Sequence, residues 1–172
     1  MAIKSLADAG RRLYILTTKP AIPGAPTAAE LIAGIDASCK VSRENFSWTP
    51  TDSDTVDDPE LCSTSKAVAP SFDNAELGFQ VYRYWLEAGG ADPAADTLFA
   101  AIKEKGTVLW GYYMHTDEPV GTAPAAGDEI VLGAEFWTDH PQDPGTSGWL
   151  KYRVPCHANQ LYPWIVVGPV VP

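Results

Sequence analysis

Residues 128–138 read DEIVLGAEFWT, with Ile130, Leu132, Ala134 and Phe136 alternating against Glu129, Val131, Gly133 and Glu135. Period-two alternation of this kind is the pattern of a half-buried strand, not of a helix. The same pattern recurs at 76–85 (ELGFQVYRYW), where Leu77, Phe79 and Val81 face one way and Glu76, Gly78 and Gln80 the other. Residues 12–18 and 107–114 add β-branched and aromatic runs, 35–41 and 45–48 read as strand pieces, and 149–155 and 161–167 as two closing strands. Two helices interrupt the strands. Thr27 and Glu30 form a capping box ahead of a short helix, with Gly34 expected as its left-handed stop. Residues 92–105 carry a cap at Asp92, Pro93 in the first turn, a Leu98–Phe99–Ile102 stripe and a stop at Gly106. Seven or eight strands with two short helices predict a β-rich α+β fold, an antiparallel β-sandwich or barrel with a flanking α-helix.

The 172 residues predict one domain. The 29 Gly and Pro residues are spread along it, as in a turn-rich β domain, and not gathered into a linker. Three segments stand apart: a Pro-rich arm at 19–26, an acidic loop at 49–65 and an apolar tail at 164–172. Five acids crowd into nine residues of that loop, and like charges so close resist packing, which predicts an exposed segment. The formal charge is −10. A surface so acidic lacks the clustered cations that bind phosphate backbones or anionic lipid. Residues 1–10 lack the apolar core of a signal peptide, and the prolines of 154–172 exclude a membrane helix. Cys39, Cys62 and Cys156 are an odd set without metal spacing, read as reduced thiols, with a Cys39–Cys62 bridge left open.

Chemistry-bearing patterns are weak. Cys156 and His157 are neighbours on a strand and so point to opposite faces, which a nucleophile–base pair cannot do. Asp52, Asp54 and Asp57 open like a calcium loop, but Val56 stands where an oxygen ligand is needed and Ser63 where the bidentate Glu belongs. His115 with Asp117 and Glu118, and Asp139 and His140 with Asp143, have no ligand spacing. These residues imply neither a cofactor nor a metal and no enzyme. Six tryptophans, one on most elements, suit core and interface packing; the alternative is a carbohydrate- or surface-binding module, a tail decoration or receptor-binding domain with a Trp platform.

An ordered set of segments resembles the major tail tube proteins of long non-contractile-tailed bacteriophages (siphophages), especially those of actinobacterial hosts. It comprises LTTKPA at 16–21, PTAAEL at 26–31, AGID at 33–36, SDTV at 53–56 with Cys62, KEKGT at 103–107, AGDE at 126–129 and TDHPQ at 138–142. The resemblance implies hexameric rings stacked into a tube, with strands from each subunit joining an inner barrel. It implies a virion location after assembly in the host cytoplasm. The implied partners are further copies of the chain, a tape-measure protein, a tail terminator and tail-tip or distal tail proteins. DNA would pass through the lumen without specific binding, as an acidic wall favours. Six copies at −10 each carry a formal −60 per ring. Candidate lumen-facing residues are Glu76, Gln80, Glu129 and Glu135. Candidate inter-subunit contacts are Asp52, Asp54, Asp57, Asp58 and Glu60 in the loop, and Trp164, Ile165, Val166 and Val167 in the tail, since an uncharged strand of this kind is sticky when left exposed. Removing residues 168–172 is expected to weaken assembly, measured as fewer and shorter tubes by electron microscopy.

Overall fold

A computed structural model describes residues 10–57, 68–70, 73–119, 121–143 and 147–169. In chain order the elements are β1 (Arg11–Leu16), α1 (Ala28–Ala33), β2 (Ile35–Asp36), β3 (Val41–Thr51), β4 (Thr55–Asp57), β5 (Val68–Pro70), β6 (Asn74–Tyr82), α2 (Thr97–Ile102), β7 (Val108–His115), β8 (Glu129–Thr138) and β9 (Lys151–Val166). Seven strands form one antiparallel sheet in the order β2-β1-β7-β8-β9-β6-β3, and β4 and β5 pair separately.

The sheet cannot lie flat. Its edge strands β2 and β3 are joined through residues 37–40 alone, a link that reaches at most about 19 Å. Seven strands laid side by side would set those edges about 29 Å apart. The sheet therefore curls until its edges come within reach of that link. Residues 37–40 tie the seam: Ala37 N–H donates to Leu13 O (2.8 Å) on β1, and Tyr82 N–H on β6 donates to Lys40 O (3.0 Å). Inside the curl lies the main core, with Leu13, Ile15, Leu77, Phe79, Val81, Leu132, Phe136 and Val154. Trp48 crosses it from the β3 side, packs edge-on against Phe136 and donates its indole N–H to Leu132 O (3.1 Å). A second core lies outside the curl, where α1 places Leu31 over Tyr14, Leu16, Trp110, Tyr112 and Met114. β7 is consequently buried on both faces.

Several sequence expectations are corrected. Residues 149–155 and 161–167 are not two strands: one strand, β9, runs through them, with Asn159 as an extra residue where the pairing with β8 slips. A bulge at Val131 breaks the alternation of 128–138, because Leu132 pairs with Tyr113 but Ile130 with Met114. Ile130 thus joins the second core while Leu132 joins the first. Residues 49–65 are not wholly loop; they contain the end of β3 and all of β4. The helix at 92–105 begins late. Asp92 Oδ1 caps a separate turn through Ala94 N–H and Ala95 N–H, and Asp96 leaves helical geometry to receive Arg83 in an ion pair of 2.9 Å. The Arg83 guanidinium also lies over the Phe99 ring at 3.9 Å. The capping box of α1 is present, but Gly34 is extended (φ −75°). Its role is close approach: a Cβ there would sit 3.0 Å from Ile15 O.

Gly111 shows how tight the curl is, since a Cβ at this position would lie 2.4 Å from the Trp48 ring. Gly111→Ala is expected to cost about 2 kcal/mol by overpacking. Thermal denaturation should show Tm lowered by roughly 4–8 °C, with Trp48 fluorescence shifted to the red.

Candidate assembly surfaces

Strand register decides which expected surface residues share a face. Glu76, Gly78 and Gln80 lie opposite Leu77, Phe79 and Val81, on the outside of the curl. Glu135 is also outside, accepting from the Trp110 indole N–H (3.1 Å) and from Asn159 Nδ2. Glu129 is not with them. The Val131 bulge reverses the face of the residues before it, so Glu129 points to the opposite side of β8 from Glu135, toward His115. Glu76 is exposed and Glu135 half-buried, whereas Gln80 is only 4% exposed. The lone chain does not present Gln80 to solvent.

The tail divides in the same way. Trp164 and Val166 are 68% and 50% exposed, and Trp164 holds a left-handed backbone (φ 51°) where β9 passes the Val131 bulge. A tryptophan rarely adopts that conformation unless its surroundings impose it. Ile165 packs against the second core and Val167 is buried in it, 1% exposed. The tail contact expected of Val167 is thus made within its own subunit. The tail is also tied to the arm, with Gly168 N–H donating to Pro26 O (2.8 Å). A truncation that spares this tie must begin beyond Gly168.

β9 carries a further feature that alternation could not reveal. β6 pairs with it only from Lys151 to Cys156, while β8 follows it to Val166. From His157 to Tyr162 one edge of β9 has no strand beside it among the described residues, and Ala158, Asn159 and Gln160 are exposed. Pro163, which has no N–H, closes the edge.

The acidic segment forms a ribbon. β4 and β5 pair with each other in a two-stranded sheet, and Asn74 Nδ2 anchors its base on Asp52 O (3.2 Å) and Asp54 Oδ1 (3.1 Å). Asp52 and Asp54 are exposed. Asp57 contributes backbone to β4, and Asp58 and Glu60 lie outside the described residues, as does Cys62.

The other chemical clusters are held by local bonds. Burial pushes the Cys156 thiol up to about 12, and its S–H faces Val154 O while His157 is exposed, so the two do not form a pair. Cys39 is a free, exposed thiol. Burial and the nearby Arg11 hold His115 below the usual imidazole range, with its Nε2 2.9 Å from Tyr113 Oη. Asp139 is engaged by His140 N–H, Lys105 and His157. No group of three or more His, Cys, Asp or Glu among the described residues could hold a metal ion. No helix among them is long and apolar enough to cross a membrane. Of the tryptophans, Trp48 and Trp110 are buried, while Trp85, Trp137, Trp149 and Trp164 are exposed on separate segments.

A curled antiparallel sheet with one helix on its flank, an open strand edge and large apolar side chains in solvent is the build of a β-rich assembly subunit. A family model described as phage tail tube protein matches residues 1–162, and the chain belongs to that family. It is a structural protein of the phage tail, and tail tube proteins assemble with their own kind into the tube. No curated protein sequence gives a significant match to the chain. The family does not favour a carbohydrate-binding module.

Glu30 joins the arm to α1. Its carboxylate accepts from Ala21 N–H (2.7 Å), Thr27 N–H (2.7 Å) and Thr27 O–H (2.9 Å). Burial raises its pKa, but these bonds together outweigh it and hold the group below the usual carboxylate range. The stabilisation is therefore present above the unfolded-state value and lost as pH falls through the lower folded value. Glu30→Gln should cost about 1 kcal/mol at neutral pH and flatten the acid limb of stability below about pH 4.5, as read by urea titration across pH.

Proposed function

We propose that this chain builds the tube of a siphophage tail as hexameric rings, stacked head to tail, through which DNA is delivered. The observation that carries the ring is the β9 edge between His157 and Tyr162, which no strand among the described residues pairs with. A bare edge is a hazard for a protein that stays alone, and charged residues usually guard it. Residues 157–162 (HANQLY) contain neither acid, Lys nor Arg. A strand of a neighbouring copy would cover this edge and continue the sheet, while Trp164 and Val166 beside it supply apolar area. Glu76 and Glu135, on the outer face of the curl, are the acids proposed to line the lumen. Glu129, turned the other way, is assigned instead to the end of the subunit. Asp52, Asp54 and the rest of the acidic ribbon are proposed for contacts between stacked rings.

Stacking would be heterologous, one surface meeting a different one, which is what extends rings into a filament. It has to overcome repulsion between rings of high negative charge. The tape-measure protein is the proposed occupant of the lumen during assembly, with terminator and tip proteins closing the two ends. A lumen that must release DNA gains from lacking cations, so no catalytic or nucleic-acid-binding role is proposed for this wall.

Purified protein examined by negative-stain electron microscopy should give six-fold rings and tubes. These should be more abundant at 0.5 M salt than at 0.01 M, where the Debye length is about 30 Å and rings repel. The double variant Ala158→Lys, Gln160→Lys should keep its Tm within about 2 °C and yet form no rings. Rings from that variant at the normal concentration would reject the edge. Monomers of the unaltered chain at every salt would reject the ring.

A further inference from the structure

The seam of the curl is not closed along its whole length. β2 pairs with β1 only at Tyr14 and Ile15, so no strand among the described residues lies beside 11–13 on that side. On the facing strand, β3 pairs with β6 at Ser42 and again from Ser47, and residues 43–46 arch away between them, with Asn45 at a left-handed φ of 57°. The gap that results is a cleft of about 450 Å³. Its walls are Leu13 and Tyr113 of the main core, with Val41 and Phe46 half-buried against that core.

The charges around this cleft do not select an ion. Of its three guanidiniums, Arg12 donates to the backbone carbonyls of Glu118, Pro119 and Thr122, while Arg11 and Arg43 are matched by two carboxylates, Asp117 and Glu118. Balanced charge over apolar walls suits a neutral aromatic group. Two rings, Phe46 and Tyr113, already line the cleft, and guanidinium planes stack on aromatic faces.

The chain carries such a group on its opposite flank. β8 is the middle strand of the seven, so curling brings the seam round to face it across the core. Trp164 lies on β9, the strand next to β8. Arg12, Met114, Ile130 and Ile165 form one register row across β1, β7, β8 and β9. Three strand spacings, about 14 Å of sheet, thus separate Trp164 from the β1 wall of its own cleft, and its indole cannot fill it. Trp164 is 68% exposed although its backbone is held left-handed, a conformation that costs free energy and here brings little burial within the subunit. A knob on one flank and a cleft on the other are two different surfaces, which is what a ring of identical subunits joined head to tail requires. We propose that Trp164 of one copy seats its indole in the β1–β3 cleft of the next, as the aromatic anchor of the contact that the adjoining β9 edge begins. This rests on the chain assembling with itself as rings.

The test separates monomer stability from assembly. Trp164→Gly, which suits the left-handed backbone, and Trp164→Ala should keep the Tm of the dissociated chain within about 2 °C or raise it. The concentration needed for rings, read by sedimentation, should rise at least about tenfold, as for a buried aromatic anchor. Val41→Phe, which fills the cleft, should raise it by a similar factor, with Phe46→Ala as the second cleft variant. Combining Trp164→Gly with either cleft variant should add nothing further, because knob and cleft form one contact. Both Trp164 variants assembling at the normal concentration, both losing stability as monomers, or losses that add in the combined variants would each overturn the knob while leaving the ring intact. An unaltered chain that never assembles would overturn the ring and the knob together.

Discussion

Two edges of one seven-stranded sheet held together by residues 37–40 is the constraint from which the rest of this subunit follows. The tether forces curvature, and curvature gives the sheet an inside and an outside. The inside fills with Phe79, Phe136, Leu132 and Trp48. The outside needs separate cover wherever it is apolar, which is why α1 sits over β1 and β7. Lys40, at the end of the same link, reaches Ala95 O (2.9 Å) and Thr97 Oγ1 (2.7 Å), so the seam also fixes the start of α2. One short connection thus sets the curl that separates the two cores and anchors the start of α2.

Three strands of the curled sheet break their register. The extra residues Asn159 in β9 and Val131 in β8, with the arch at 43–46 in β3, are the places where regular pairing fails. Each also presents something to the surroundings. Asn159 lies in the β9 edge, Val131 accompanies the turned-out Trp164, and the arch carries Arg43 and Phe46 into the lining of the cleft against β1. Bulges that bend a strand and redirect its side chains concentrate at working surfaces. Here the residues that bend the strands are also residues of the proposed assembly surface.

Much of this was legible in the sequence, and the misses share a cause. Alternation located the cores of β6 and β8, and the Thr27–Glu30 pair located α1, because these signals act within a few residues. Alternation assumes an unbroken register, however, and the Val131 bulge separates Glu129 from Glu135, which simple counting places together. The early start expected for the second helix failed because Asp96 is drawn to Arg83, thirteen residues upstream and across a turn. Val167 looked like exposed tail until α1 was seen to cover it. The open edge of β9 had no local sign, because an edge is defined by which strand is missing beside it. The family itself was readable from ordered segments, none of which carries chemistry.

The two described cysteines give the subunit an internal clock. Cys39 stands in solvent, while Cys156 lies where β6 leaves β9, with its thiol held protonated by burial. A thiol reagent should therefore modify the first at a rate set by chemistry and the second at a rate set by how often the β6–β9 seam parts. Closing the neighbouring edge in a ring would slow the second rate and leave the first alone. The ratio of the two rates would report, from inside an intact tube, how firmly each subunit is held shut.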